Sequence, residues 1–372
     1  MRWSFRFGSL AGIPIRVHAT FFLLLLFVGF VHADDGPAGI AQGIVFILLL
    51  FLCVVLHELG HSLVGRRFGY KVRDITLLPI GGVASFEKMP TDPKQELAIA
   101  AAGPAVNVVL AALLYLVLST FGGWTPADQL GVDRGSIFER LLVVNLFLAG
   151  FNLLPAFPMD GGRMLRAFLA QRMDYAAATQ TAARIGQGMA LVFGFVGLFS
   201  NPFLLFIALF VYIGAEQEAA AATMRSVFHG VPVRDAMVTR FTTLGGDEPV
   251  SAALEKLLEG YQHDFPILEV GGRVVGMLTR GALLEAIARG QEKSAIREVL
   301  RGETEAPLSP DTPLDDGMER LKDGTTALPV LESGRLVGLL TLENVGEIVM
   351  IHNARARAHA MAPAAIPRPV RP

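Results

Sequence analysis

Residues Val54 to Gly65 read VVLHELGHSLVG, so two histidines and a glutamate end a long apolar segment. A charged side chain deep in a bilayer costs about 3 kcal/mol, so ionisable groups this close together need a shared partner. His57 and His61 are four residues apart, and on a helix they lie on one face where both imidazoles can bind one metal ion. Glu58 lies beside them and can take a proton from water activated by that metal.

The composition of the whole chain indicates a membrane protein with a soluble part. Of its 372 residues, 52% are hydrophobic and 18% are charged, against about 25% charged residues in soluble domains. The net charge of −2, with no basic stripe, gives no indication of a nucleic-acid partner. The single cysteine, Cys53, excludes an internal disulfide and a multi-cysteine metal site, and we interpret it as a small buried hydrophobe.

Apolar segments of suitable length predict about six transmembrane helices before residue 224. The candidates are 17–33, 39–64, 96–120, 137–157, 186–200 and 202–222, and the last two are separated by the turn sequence FSNPF. The first segment also has features of a cleaved signal peptide, an alternative that the sequence leaves open.

The distribution of basic residues predicts the orientation in the membrane. Arginines and lysines precede the first segment and lie between the second and third and between the fourth and fifth, whereas the other connections contain a single one, Arg134. Basic residues mark cytoplasmic loops, so we expect the N-terminus, the HELGH end of the second helix and the C-terminal half in the cytoplasm.

The C-terminal half contains an internal repeat, residues 231–290 and 294–352. Pro266, Gly276 and Thr279 in the first copy align with Pro329, Gly338 and Thr341 in the second. Each copy reads as helix, short strand, helix, two strands, helix. The repeat resembles a tandem pair of cystathionine-β-synthase (CBS) domains. The tail 353–372 is rich in Pro, Ala and Arg and is expected to be disordered.

A third metal ligand must come from a distant part of the chain, because catalytic zinc takes three protein ligands and leaves one position open. Asp160, in NLLPAFPMDGGR after the fourth segment, is the best candidate, since that end is expected on the same membrane face as HELGH. The residues alone leave open that Asp160 merely caps a loop or a helix.

The motifs HELGH, AAGPAVN (101–107) and NLLPAFPMDGGR, in this order on membrane segments, resemble the site-2 protease family of intramembrane zinc metalloproteases. A C-terminal CBS pair marks a prokaryotic subgroup, so the resemblance also implies a prokaryotic inner membrane as the location. The resemblance implies a polytopic α-helical membrane protein, residues 1–224, followed by an α+β tandem CBS domain. It implies one Zn²⁺ bound by His57, His61 and Asp160, with Glu58 as general base.

The resemblance also implies roles for two asparagines and a hairpin. Asn152 and Asn107 match family positions and could hydrogen-bond a substrate carbonyl or its oxyanion, although a buried amide that satisfies backbone groups is an open alternative. The segment ITLLPIGGVASFE (75–87) resembles a membrane-dipping hairpin whose edge pairs with an unwound substrate strand. A plain surface hairpin remains the other interpretation.

For the CBS pair the resemblance suggests adenine-nucleotide binding of the ATP or AMP type, with Thr279, Thr341 and Asn344 as the candidate contacts. Family members that bind ribose carry an aspartate three residues after the threonine, whereas this chain has Ala282 and Asn344 there. That departure puts tight binding in doubt. A dimerisation or docking module without a ligand is the alternative.

The sequence therefore predicts an intramembrane zinc endopeptidase that cleaves a transmembrane substrate near the cytoplasmic face. Expected partners are the lipid bilayer, a single-span membrane protein such as an anti-sigma factor or a pro-transcription factor, and a second copy of the chain through the CBS domains. The alternative functions are a transporter or channel gated by the CBS pair and a catalytically silent scaffold. A transporter predicts ionisable groups near the bilayer midplane rather than at one face.

Overall fold

A computed structural model describes residues 3–87, 90, 92–121, 135–228, 230–260, 262–300, 306–321, 325–348 and 350–351. The chain forms two compact units, Met1–Ala222 and Thr223–Pro372. The expected disordered tail and most of the expected loop that contains Arg134 lie outside the described residues.

The first unit is mainly helical. Its helices are α1 (Thr20–Val31), α2 (Gly36–Arg67), α3 (Pro93–Phe121), α4 (Ile137–Asn152), α5 (Asp160–Leu169), α6 (Tyr175–Phe199) and α7 (Phe203–Phe228). Ser136 and Glu139 start α4 with a capping box, in which each side chain accepts a hydrogen bond from the other residue's backbone N–H. The short helix α5 was not expected as a separate element.

Four helical segments in the described residues are long and apolar enough to cross a membrane: Ala33–Arg67, Pro93–Phe121, Tyr175–Phe199 and Phe203–Met224. The expected count of about six is therefore not confirmed. Helix α1 has 12 residues and α4 has 16, and at about 1.5 Å per residue neither reaches the ~30 Å of a hydrocarbon core. The long apolar runs predicted helices correctly, but two of the predicted segments extend beyond the C-terminal ends of α1 and α4.

The helices of this unit pack closely through small residues. A side chain at Gly60 on α2 would lie 2.9 Å from the carbonyl oxygen of Ala102 on α3, so the two helix backbones are nearly in contact. Nearer the start of α2, Phe46 and Cys53 pack against Leu141 and Val144 of α4. Cys53 is buried and free, as a small hydrophobe would be.

A four-stranded sheet accompanies the helices, in the order β1 (Ser4–Leu10), β2 (Ile13–His18), β3 (Val72–Leu78) and β4 (Gly81–Phe86). Strands β2 and β3 are parallel, and the other pairs are antiparallel. The β3–β4 pair is the hairpin predicted from residues 75–87. Val17 and Leu77 pack the sheet onto Phe21, Phe51 and Val55, which fixes it against α1 and α2.

The second unit contains the two repeats. The first has a 3₁₀ turn (Val233–Asp235), β5 (Leu244–Gly245), α8 (Val250–Glu259), β6 (Phe265–Leu268), β7 (Val274–Leu278) and α9 (Arg280–Ala288). The second has α10 (Ile296–Val299), α11 (Leu314–Leu321), β8 (Ala327–Glu332) and β9 (Arg335–Thr341). Each of the two apolar cores combines residues of both repeats: Val233 and Ala236 of the first repeat pack with the second, and Ile296 and Val299 of the second repeat pack with the first. The aligned Gly276 and Gly338 likewise pack against a residue of the other repeat, Leu300 and Met237 respectively.

Candidate metal centre

Three side chains from distant parts of the chain converge near the C-terminal end of α2. His57 and His61 lie one turn apart on α2, and Asp160 is the first residue of α5. The Oδ2 atom of Asp160 lies 3.1 Å from Nε2 of His57 and 3.2 Å from Nε2 of His61. The two Nε2 atoms are themselves 3.1 Å apart. All three side chains are buried.

The spacing of these three atoms fits a metal ion. Nitrogen and oxygen ligands of tetrahedral zinc lie about 2.0–2.2 Å from the metal, which puts the ligand atoms roughly 3.3 Å from one another. The three observed distances are within about 0.2 Å of that value. The described residues contain one such group of potential ligands, and two imidazoles with one carboxylate are a donor set typical of catalytic zinc.

A buried hydrogen-bond chain determines which nitrogen of His57 faces this centre. The carbonyl oxygen of Leu141 can only accept, so Asn145 donates its Nδ2 to it at 2.8 Å. Asn145 Oδ1 then accepts from Asn107 Nδ2 at 3.3 Å, and Asn107 Oδ1 accepts from His57 Nδ1 at 2.6 Å. The proton of His57 is therefore on Nδ1, and the lone pair of Nε2 is free for a metal.

The second imidazole is oriented in the same way by a backbone group. His61 Nδ1 lies 2.7 Å from the carbonyl oxygen of Ile99 on α3, which fixes the proton on Nδ1. Two lone pairs and a carboxylate oxygen thus point at one small volume. Their mutual repulsion is relieved by a cation between them, which a metal ion or a proton on an imidazole can supply.

Asn107 occupies a different place from the one expected for a substrate contact. Its side chain is fully buried, and its amide is used by His57 and Asn145. One N–H of Nδ2 is directed to Asn145, Oδ1 accepts from His57, and Asn107 is not among the residues that line the cavity beside the metal centre. These contacts place Asn107 to orient His57, whereas the substrate contact implied by the resemblance stays a prediction.

Replacing Asn107 by leucine is expected to weaken zinc binding by about 10- to 100-fold, because the Nδ1–H of His57 loses its acceptor. Competition with a chelator of known affinity measures this change. Asn107→Asp keeps an acceptor at the same position and is expected to retain most of the affinity. If Asn107→Leu raised only KM and left zinc affinity unchanged, a substrate contact would be the correct role.

Gly103 on α3 leaves the space that a metal needs. A Cβ atom there would lie 2.6 Å from His57 Nε2 and would also overlap Nε2 of His61. Real Cβ atoms do not come this close to a nitrogen, so the imidazoles would have to move. In the motif AAGPAVN, Gly103 thus provides space because it has no side chain, and Asn107 provides an amide.

Gly103→Ala is expected to abolish stoichiometric zinc binding and to lower activity at least about 100-fold, since a displacement of 1 Å at a catalytic site has an effect of this size. Gly150→Ala on α4 is the matched control, because nothing lies within 4 Å of its Cβ position. Metal analysis of both purified variants distinguishes the two cases. A zinc content in Gly103→Ala equal to that of Gly150→Ala would contradict the assignment.

Glu58 lies next to the centre and contacts the outer strand of the sheet. Its Oε2 accepts a hydrogen bond from the backbone N–H of Ala84 at 3.1 Å. A side chain at Gly82 would lie 2.7 Å from Cγ of Glu58, so glycine lets β4 approach the carboxylate. The base candidate is thereby held by main-chain atoms of β4.

A cavity of about 310 Å³ connects these groups. Its walls include both histidines, Glu58, Asp160, the strand residues 80–84, Asn152 and Arg163. Asn152 is half-buried, and its Nδ2 donates to the carbonyl oxygen of Leu148 at 3.0 Å, so its Oδ1 and second N–H face away from that bond. The asparagine at 152 thus lines the cavity, whereas Asn107 does not.

A buried ion cluster holds α5, the helix that carries Asp160. Arg166 bonds Glu96 of α3 and lies 3.0 Å from Oε2 of Glu218 on α7. Burial lowers the pKa of the Arg166 guanidinium, but the carboxylates of Glu96 and Glu218 raise that pKa further, so the net shift is upward. The rings of Phe157 and Tyr175 lie about 5 Å from the guanidinium carbon. These contacts join α5 to its neighbours from three sides.

Some of these features were missed by the sequence analysis. Asn145 is an amide in the middle of an apolar segment, and this was the available signal, because a buried amide needs partners. The donor on Ala84 and the acceptor on Ile99 are backbone groups, which no side-chain motif identifies. Arg166, six residues beyond Asp160, was available as a further signal, because a charged residue near an apolar segment needs a partner.

The CBS candidates are engaged in local bonds. Thr279 Oγ1 accepts from the backbone N–H of Ala282 and caps α9. Thr341 Oγ1 lies 3.2 Å from Oδ1 of Asn344 and accepts from its backbone N–H at 3.3 Å. These bonds are typical of threonine at a helix start and do not by themselves indicate a ligand.

Two histidines one helical turn apart, a remote aspartate and an adjacent glutamate together define a metallopeptidase type of centre, here next to helices apolar enough to cross a membrane. Comparison with known proteins agrees with this class. The sequence profile of peptidase family M50 matches residues 45–193, and the CBS domain profile matches 217–289 and 304–349.

The chain is 34% identical to a zinc metalloprotease of Methanocaldococcus jannaschii, covering 93% of this chain and 96% of that protein. It is 30% identical to the putative zinc metalloprotease Rip3 of Mycobacterium tuberculosis, covering 95% and 94% respectively. A solved site-2 protease from Methanocaldococcus jannaschii is 42% identical, covering 58% of this chain and 95% of that one, with a TM-score of 0.44. The chain belongs to peptidase family M50 and is a site-2-protease-like zinc metalloprotease with a CBS domain pair, which confirms the resemblance found in the sequence.

Proposed function

We propose that this metalloprotease cleaves a peptide bond of a single-span membrane protein near the cytoplasmic face of a prokaryotic inner membrane. The observation that carries the proposal is the convergence of His57, His61 and Asp160, with Glu58 beside them, in one cavity at the end of an apolar helix. The cluster of basic residues around this end supports a cytoplasmic position. We include α1 and α4 in this proposal as further membrane segments, each completed by the residues that flank the helix, which gives six in all.

In this proposal His57, His61 and Asp160 hold a zinc ion. When bound, zinc supplies Lewis acidity: it makes water acidic enough to ionise near neutral pH and polarises a carbonyl. Glu58 accepts the proton released at the attacking water and later delivers it to the leaving amine. The bond from Ala84 keeps the carboxylate of Glu58 pointing into the cavity during both transfers.

Substrate positioning is assigned to β4 and Asn152. Strand β4 is an outer strand of the sheet and lines the cavity, so one side of its backbone can pair with an extended substrate. A transmembrane helix hides its peptide bonds until its hydrogen bonds are replaced, and strand pairing replaces them. The amide of Asn152 can then donate to the oxyanion that forms on the scissile carbonyl.

Regulation through the CBS pair is a second part of the proposal. A nucleotide that prefers one arrangement of the two repeats would shift the protease only by that difference in affinity. Thr341 and Asn344 are the candidate ribose contacts, and Thr279 is the equivalent position in the first repeat. Homodimerisation through these domains is the alternative use of the pair. Adding AMP or ATP to the reconstituted protease tests the first alternative.

The proposed activity is tested with the purified chain in proteoliposomes containing a single-span reporter protein. The expected result is one principal cleavage, which mass spectrometry places near the cytoplasmic end of the reporter's apolar segment. A soluble peptide with the same cleavage sequence serves as the control and is expected to be cut more slowly. Cleavage of the soluble peptide alone would contradict an intramembrane protease.

A further inference from the structure

Strand β1 and the residue directly before it expose a group of aromatic side chains. Trp3 is 69% exposed, Phe5 is 61% exposed and Phe7 is 85% exposed. Every described residue of β1 after Ser4 is exposed, whereas Ile13 and Val17 on the neighbouring strand β2 are buried. The outer strand of this sheet thus carries large apolar groups that no described part of the chain covers. We call residues 3–18 the aromatic hairpin.

Hydrogen bonds tie both ends of the aromatic hairpin to the membrane helices. The backbone N–H of Ala19, directly before α1, donates to the carbonyl oxygen of Trp3 at 2.9 Å. At the other end, Arg66 in the last turn of α2 donates to the carbonyl oxygen of Ala11 at 2.5 Å. The start of α1 and the end of α2 are therefore at the level of the hairpin, which lies where these helices leave the apolar layer.

The exposed surface of α1 continues this apolar region. Phe22, Leu26, Phe27 and Phe30 are each more than half exposed on a helix with no charged residue. In water such a helix would be unstable, so lipid is its natural surroundings. The aromatic side chains of β1 are thus joined through the backbone to a surface that contacts lipid.

Backbone chemistry limits how deep β1 can lie. As an outer strand it has unpaired N–H and C=O groups along one side, and these cannot be left in hydrocarbon. Aromatic side chains, in contrast, prefer the interfacial layer between headgroups and chains. Arg6, exposed and adjacent to Phe5, points away from it by strand alternation and can reach lipid phosphates. The interfacial layer accommodates the unpaired backbone groups, the aromatic side chains and Arg6 together.

We propose that the aromatic hairpin inserts Trp3, Phe5 and Phe7 into the cytoplasmic interface of the bilayer, with Arg6 at the phosphate level. Because β1, β2, β3 and β4 form one sheet, this anchor also holds β4 and the attached Glu58 at a fixed depth. That last step rests on the proposed function, since it makes the hairpin a determinant of where the substrate is cut. The partner is the lipid surface, without a second protein.

Trp3 provides a direct test, because the chain has two tryptophans and the other one is Trp124. The Trp124→Phe variant leaves Trp3 as the single reporter in proteoliposomes of the purified chain. Lipids brominated close to the headgroup are expected to remove most of its emission, and lipids brominated near the chain ends much less. Emission that no brominated lipid quenches, but that acrylamide in the aqueous phase quenches fully, would overturn the proposal. That second result is also the one expected if a protein partner normally covers the surface.

A second variant separates insertion from overall folding. Phe5→Ser with Phe7→Ser, in the Trp124→Phe background, is expected to reduce quenching of Trp3 by lipid and to shift or broaden the cleavage position in the reporter. The matched control is Leu258→Ser with Val270→Ser, which removes two apolar side chains of the CBS unit that are at least as exposed as Phe5 and Phe7. Unchanged lipid quenching in the hairpin variant would contradict the proposal. Because the quenching experiment needs no substrate, it remains decisive if no proteolysis is found.

Discussion

Glu58→Gln lowers the rate of peptide cleavage by roughly 10²- to 10⁴-fold, the usual contribution of a general acid–base group, and leaves the zinc content unchanged. This is the expected result because glutamine has the same shape and can still accept the hydrogen bond from Ala84, but it cannot take up a proton. The loss should therefore appear in kcat, whereas substrate binding changes little. Cleavage of the single-span reporter under single-turnover conditions measures it.

The matched control for this experiment is Glu87→Gln. Glu87 is exposed one residue beyond β4 and does not line the cavity, so its replacement changes the same charge near the same strand. We expect near-parental activity for this variant. Equal cleavage rates in the parent and in Glu58→Gln would remove Glu58 from the mechanism and would favour a protein that binds membrane substrates without cutting them.

The second large effect is expected from Asp160→Ala, which removes the only ligand candidate that comes from outside α2 among the described residues. Structural zinc sites bind with about 10–16 kcal/mol, so one ligand of four contributes on the order of 3 kcal/mol, or roughly 10²- to 10³-fold in affinity. We expect purified Asp160→Ala to lose its zinc during dialysis against a weak chelator. Elemental analysis of zinc per chain gives the readout.

Asp160→Asn is the control for misfolding in this test, because it keeps the size of the side chain at the start of α5. A neutral amide oxygen is a poorer ligand than a carboxylate, so zinc retention should rank parent, then Asn, then Ala. Circular dichroism checks that both variants remain helical. One tightly held zinc per chain in Asp160→Ala would show that another group completes the site.

The sequence was sufficient for parts of the site that follow from local periodicity. The spacing of His57 and His61 predicts a shared face on any helix, and the structure places their Nε2 atoms 3.1 Å apart. Asp160 lies 103 residues beyond His57, so the predicted membrane topology made it a candidate ligand and the resemblance to a family assigned it that role. Helix count was harder, because apolar runs do not reveal where a chain turns; α4 ends at Asn152 and the loop before α5 uses residues that were assigned to a span.

The role of Asn107 could not be read from its motif. Both a substrate contact and a ligand-orienting contact require a buried amide near the metal, and only the direction of that amide separates them. The direction depends on Asn145 and on a helix carbonyl of α4, which lie 38 and 34 residues away along the chain. Long-range side-chain geometry of this kind is set by tertiary packing, which a local pattern does not contain.

The bond between Ala84 and Glu58 has a consequence for inhibitors. A peptide mimic laid along β4 would use the same backbone N–H that Glu58 now occupies, so ligand and carboxylate compete for one donor. An extended compound must either leave the N–H of Ala84 bonded to Glu58 or carry an acceptor strong enough to displace the Glu58 carboxylate. Compounds that lack an acceptor opposite the backbone N–H of Ala84 should therefore bind more tightly than compounds that pair with every backbone group of β4.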